Sequence, residues 1–230
     1  MALALTVTRH FYALMSFVLS CFVALTIVLE FYKGARAIQA KGGGSLVGCA
    51  VELTHRNTRR YGGYIVHMGI VFMFIGFAGA VFTQEAQDAL GVGDALKVGA
   101  YSFKLTDLKQ ADDKNYASHM ATVEVSKNGE LLQTMHPERR FYHGSQQPTS
   151  EVAIRPRLHE DVYVVFAGMT NDGQKPVFQV FINPLVNWVW LGAFVVIGGT
   201  LIALVPSKLK LAYAKTRVIA TARKHEVVAQ

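Results

Sequence analysis

The sequence predicts an integral membrane protein with three transmembrane α-helices and an all-β domain, a small barrel or sandwich, between the second and the third. Three observations carry this. Of 230 residues, 51% are hydrophobic and only 17% charged, too apolar for an ordinary water-soluble domain. Three runs approach the roughly 20 apolar residues that a helix needs to cross a bilayer. Between the last two runs lies about a hundred residues with alternating polarity and turn signals instead.

The first apolar run extends from about Phe11 to Val28 and ends at Glu30 and Tyr32, giving a membrane segment over 1–32. Residues after Cys21 stay apolar with no small-residue cleavage site, so a retained helix is favoured over a cleaved signal peptide. The second run covers 61–82, and the third, within 184–206, lies between Pro184 and Pro206 with Trp188 and Trp190 in its first turns, where indoles favour the interface. The segment 33–60 reads as a basic loop with six Lys/Arg against Glu52, and the tail 207–230 carries six against Glu226. Residues 83–183 hold ten Lys/Arg and thirteen Asp/Glu. The positive-inside rule therefore places the loop and the tail in the cytoplasm and the β region outside. The net charge of +7 is explained by those cationic inner segments, which removes nucleic acid as a partner and leaves membrane lipid, on which the stretch 211–227 would lie if it formed an amphipathic helix. Cys21 and Cys49 are too few for a disulfide framework.

Within the outer region, 96–108 is a candidate hairpin. The run 121–126 alternates ahead of the Asn128-Gly129 turn, and 162–166 pairs with 177–181 across Asn171-Asp172-Gly173. Its histidines, His119, His136, His143 and His159, lack close metal spacing and read as surface or hydrogen-bonded groups. Arg139 and Arg140, with Arg155 and Arg157, offer a grip for an anionic group or form a strand-edge charge cluster; the second reading is preferred.

His67 is the exception, lying six residues into the second run, about 9 Å of helical rise from Tyr61. An ionisable group at that depth marks a functional site by default. Gly63 leaves the backbone open beside the imidazole, and Val71 and Phe74 continue that face as an apolar wall, a strip that would suit a flat macrocycle with an imidazole bond to its iron. A histidine bonded to a neighbouring helix is the other reading.

The run His55-Arg-Asn-Thr-Arg-Arg-Tyr-Gly-Gly-Tyr-Ile-Val-His67-Met-Gly, followed by Ile75-Gly76-Phe77-Ala78-Gly79, resembles the penultimate transmembrane region of CcmF, the haem lyase component of bacterial system I cytochrome c maturation. Asn183-Pro-Leu-Val-Asn-Trp-Val-Trp-Leu-Gly192, with Gly198-Gly199 and Leu204-Val-Pro206, is similar to that family's last helix. The resemblance implies a carboxy-terminal part of CcmF, a split subunit or a fragment, in the bacterial inner membrane with its β domain in the periplasm. His67 would be one of two transmembrane axial ligands to haem b. It further implies partners: the remaining amino-terminal part of CcmF with its tryptophan-rich WWD segment, the haem chaperone CcmE, CcmH and apocytochrome c, whose CxxCH thiols receive haem. That orientation also accounts for an amino terminus placed outside. No residue in this chain reads as an acid, base or nucleophile for thioether formation, so it would act as a subunit or fragment of the haem lyase. The alternative is a non-catalytic, membrane-anchored β-domain scaffold or docking subunit; a transporter is weakly supported by three helices with a single deep ionisable group.

Overall fold

A computed structural model describes residues 2–171 and 173–206, with side chains described from residue 11 onward. The basic tail, with the stretch 211–227, lies outside the described residues. The chain forms two compact units, one of helices up to Ala78 and from Trp188, the other covering Gly79–Asn187.

The helical unit contains α1 (Ala2–Gly42), α2 (Leu46–Arg56), α3 (Thr58–Gly79) and α4 (Val186–Leu204). Three segments are long and apolar enough to span a membrane: Phe11–Gly42, Thr58–Phe82 and Val186–Leu204. α1 runs ten residues beyond Tyr32, and the expected loop 33–60 is largely helical. After Gly43 and Gly44, both with positive φ, Ser45 caps α2 by accepting the Gly48 amide at 3.1 Å. The sequence already holds that signal, since Ser45 is followed by apolar Leu46, Cys49, Ala50 and Leu53 on one face. Glu30, which ends the first apolar run, is neutralised by Arg60 of α3 at 2.8 Å, and Phe31, Tyr61 and Tyr64 pack edge-to-face around the pair.

α3 and α4 approach through missing side chains. A Cβ on Gly69 would lie 2.7 Å from the Gly192 carbonyl oxygen, and one on Gly192 2.5 Å from that of Gly69. Seven residues along each helix, Gly62 and Gly199 repeat the contact, with a Cβ on Gly199 falling 2.7 Å from the Val66 nitrogen. In lipid there is no hydrophobic gain from helix association, so close backbone packing of small residues holds the pair. At one end Thr58 Oγ1 donates to the Val205 carbonyl at 2.5 Å; towards the other Phe72 meets Trp188 edge-on at 5.5 Å.

The second unit has ten strands: β1 (Gln84–Ala89), β2 (Ala95–Val98), β3 (Tyr101–Asp112), β4 (Tyr116–Lys127), β5 (Glu130–Met135), β6 (Glu138–Tyr142), β7 (Pro148–Glu151), β8 (Ala153–Arg155), β9 (Glu160–Met169) and β10 (Pro176–Pro184). One sheet has the order β1-β10-β9-β8; the other has β2-β3-β4-β6-β7, with β5 also on β4. Every pairing is antiparallel. Asn128 and Gly129, both with positive φ, make the β4–β5 turn, and β9 pairs with β10 as the alternation predicts. β3 and β4 send Phe103, Leu105, Val123 and Val125 inward; β9 and β10 send Val162, Val164, Phe166, Phe178 and Val180, all at most 1% exposed. Each contributes roughly 1.5–3 kcal/mol by leaving water.

Candidate functional site

α3 carries His67 on the face it turns towards α1. Its Nδ1 lies 2.8 Å from the carbonyl oxygen of Gly63 one turn earlier. A carbonyl only accepts, so Nδ1 carries the proton of this bond, and Nε2 is the nitrogen that a neutral imidazole would offer to a metal. Nothing lies within 4 Å of the position a Cβ on Gly63 would take.

His67, Ile70, Val71 and Phe74 form one wall of a groove of about 410 Å³, and α1 forms the other with Tyr12, Met15, Ser16, Leu19, Ser20 and Val23. Val71 is buried and Phe74 is 55% exposed, so the strip deepens towards Val71 and opens at Phe74. His67, Val71 and Phe74 thus share a groove, while Gly63 holds the imidazole from behind. Sequence reasoning missed the α1 wall. Its signal was present, because Tyr12, Ser16 and Ser20 recur every four residues in an otherwise apolar helix. The residues fit a flat apolar group with one metal bond: lining that is nearly all carbon, one imidazole with an available nitrogen, and one open side.

The histidines of the β domain are placed differently. His143 Nε2 lies 3.2 Å from the Asp113 carbonyl and 3.3 Å from Asp112 Oδ1, His136 Nδ1 3.5 Å from Thr122 Oγ1, and His159 Nε2 3.5 Å from Glu160 Oε1. His119 packs edge-on to Phe166, with a buried Nδ1 that has no hydrogen-bond partner among the described residues. Among the described residues no three His, Cys, Asp or Glu side chains are grouped to hold a metal.

Arg139 and Arg140 are engaged within the domain. Arg139 donates to the Ala167 carbonyl and, at 3.5 Å, to Ser150. Arg140 bonds Glu138 at 2.7 Å and Glu151 at 3.3 Å and lies over the Tyr116 ring at 5.0 Å. The Glu138 hydrogen bond pushes Arg140 above its ordinary pKa, and the same bond holds the Glu138 carboxyl below the usual range. Among the described residues no hydrogen bond or shared ion pair links Arg155 or Arg157 to them; Arg157 gives its backbone amide to Asp161 at 2.8 Å.

Residues 81–184 match the family model described as the CcmF C-terminal beta-sandwich. The chain resembles the CcmF family across this sandwich. It is 31% identical over 132 residues to the cytochrome c-type biogenesis protein ccl1 of Rhodobacter capsulatus, covering 57% of this chain and 20% of that protein. It is 30% identical over 150 residues to the cytochrome c-type biogenesis protein CcmF of Pseudomonas aeruginosa, covering 64% and 23%. The chain thus spans about a fifth to a quarter of the curated CcmF relatives it matches. A solved structure titled Cytochrome c Heme Lyase CcmF shares its fold over 80% of this chain and 34% of that one, at a TM-score of 0.56 and 19% identity. The chain is thus similar to the carboxy-terminal region of CcmF, with a β-sandwich between the second and third of its helices long and apolar enough to span a membrane.

Proposed function

We propose that this chain is the haem-holding carboxy-terminal part of a cytochrome c haem lyase, with His67 giving one axial bond to the iron of haem b through Nε2. The supporting observation is the protonated Nδ1 on the Gly63 carbonyl beside an apolar groove. Val71, Phe74, Met15 and Leu19 would pack against the macrocycle, and Gly63 fixes the imidazole plane. Bound there, haem b would supply an electron to an incoming haem iron. The second axial ligand and the surface where thioethers form belong to the rest of CcmF, together with holo-CcmE, CcmH and the apocytochrome c. The β-sandwich lies in the periplasm under this reading, and the basic segments around α2 and after Pro206 face the cytoplasm, a placement the charge distribution supports.

The test is His67→Ala in the assembly reconstituted with the remaining part of CcmF. Haem b occupancy is expected to fall and cytochrome c maturation to fail, while the protein inserts normally, because alanine favours helix and lowers the cost of insertion. Full haem b with full maturation would leave the chain as a scaffold and overturn the assignment.

A further inference from the structure

The loop between β8 and β9 is fastened to the start of α4. Asn187, in the helix's first turn, donates its side-chain amide to the Arg157 carbonyl at 2.9 Å and to Asp161 Oδ1 at 2.8 Å. The Leu185 amide donates to the His159 carbonyl at 3.0 Å, and Pro184 lies opposite Glu160 in the β9–β10 register. Asp161, which receives both Asn187 and the Arg157 amide, is only 3% exposed. The loop cannot leave that turn without breaking these bonds together.

α4 has no length to spare. Its 19 residues rise about 28 Å, against a hydrocarbon layer of about 30 Å, so its first turn must sit at the layer's edge. A loop bonded to that turn then lies among lipid headgroups. At its tip Leu158 is 60% exposed, between Arg157, whose guanidinium has no ion pair among the described residues, and His159, whose side chain is 73% exposed. An exposed leucine next to an uncompensated cation matches the two layers met at that depth, acyl chain and phosphate.

We propose that this loop is a lipid-contacting tip: Leu158 enters the headgroup–acyl boundary of the leaflet on the β-domain side, and Arg157 binds a lipid phosphate. The partner is the phospholipid surface. The opposite end of the sandwich offers a control within the same domain. β4 runs from Tyr116, opposite Tyr142, to Lys127, whose ammonium bonds Glu160, so the turn containing Ser145 lies roughly 36 Å of strand from the proposed contact.

The experiment uses the full chain with Cys21→Ser and Cys49→Ala, in nanodiscs of phosphatidylethanolamine and phosphatidylglycerol. A nitroxide is attached at Leu158→Cys or at Ser145→Cys, and power saturation compares collisions with oxygen and with a water-soluble nickel chelate. At position 158 the oxygen-to-nickel ratio should exceed that at 145 severalfold. Equal ratios at the two positions would overturn the proposal. Arg157→Gln in the 158-labelled chain should lower the ratio towards the Ser145 value; an unchanged ratio would overturn the phosphate contact.

Discussion

The β-sandwich and the helical unit solve packing in opposite ways. In the sandwich, Phe103, Phe166 and Phe178 are at most 1% exposed and the two sheets close over them. In the helical unit, Phe77, Phe194 and Leu201 point outward, at 58%, 70% and 61% exposure, and α3 meets α4 glycine on glycine. Water drives the first arrangement; in lipid an outward leucine costs nothing, and the close fit of backbones takes over. The two units also treat histidine differently. Two of the four in the sandwich, His136 and His143, hydrogen-bond within their own domain and His159 lies 3.5 Å from Glu160, whereas His67 is tied at one nitrogen, with no partner at the other among the described residues, on an incompletely walled groove.

The largest expected effect breaks the sandwich alone. Phe166→Ala removes a ring 5.2 Å from that of Phe178 and should cost about 3–5 kcal/mol. Hydrogen exchange should then show lost protection in β9 and β10 while α3 and α4 keep theirs; equal loss in both units would contradict their separate closure. The matching break in the helices is Gly69→Leu, which puts a side chain into the Gly192 backbone and should cost about 1–3 kcal/mol or more. Gly198→Leu, where nothing lies within 4 Å, should leave the detergent-solubilised chain as monodisperse as the parent after heating. If Gly198→Leu is as damaging as Gly69→Leu, glycine contact is not what joins α3 to α4.

A smaller effect sharpens the electrostatic side. Burial alone would raise the Glu160 carboxyl, but hydrogen bonds from Lys127 and Tyr101 outweigh it and hold it below its ordinary 4.5. Glu138 is also held low, by Arg140. A depressed carboxyl contributes stability that is present above its unfolded pKa and lost as pH falls through the folded value, so the sandwich should weaken below about pH 4.5. Lys127, raised by its bond to Glu160, adds stability at neutral pH that is lost only in strong alkali. Melting temperature against pH should show the acid decline, flattened in Glu160→Gln; an equally steep decline in that variant would remove Glu160 from the account.

Much of this architecture was legible because its causes are local. Apolar runs mark α3 and α4, Asn128-Gly129 marks a turn that needs positive φ at both positions, and the alternation over 162–166 and 177–181 marks two strands with one dry face. β1 was not legible: Gln-Glu-Ala-Gln-Asp-Ala lacks β-branched and aromatic residues, and it is a strand because β10 offers it an edge from Val177 to Ile182. Helical α1 beyond Tyr32 was hidden by charge, since Lys33, Arg36 and Lys41 read as a solvated loop while the helix carries them outward. His67 stood out as an ionisable residue in an apolar run, and its strip on α3 followed from helical spacing. The α1 wall required knowing which helix packs there, a tertiary fact that no spacing within α3 contains.

The central claim, that Nε2 of His67 is an iron ligand, is tested most directly by changing the ligand and reading the metal. In the assembly with the rest of CcmF, His67→Met replaces an imidazole nitrogen by a thioether, and a His/Met pair gives haem a higher reduction potential than a bis-histidine one. A redox titration of the haem b that the variant retains should show a raised potential and an altered low-spin spectrum, with His136→Ala as an unchanged reference. A His67→Met assembly whose haem b keeps the parent's potential and spectrum would contradict ligation by His67.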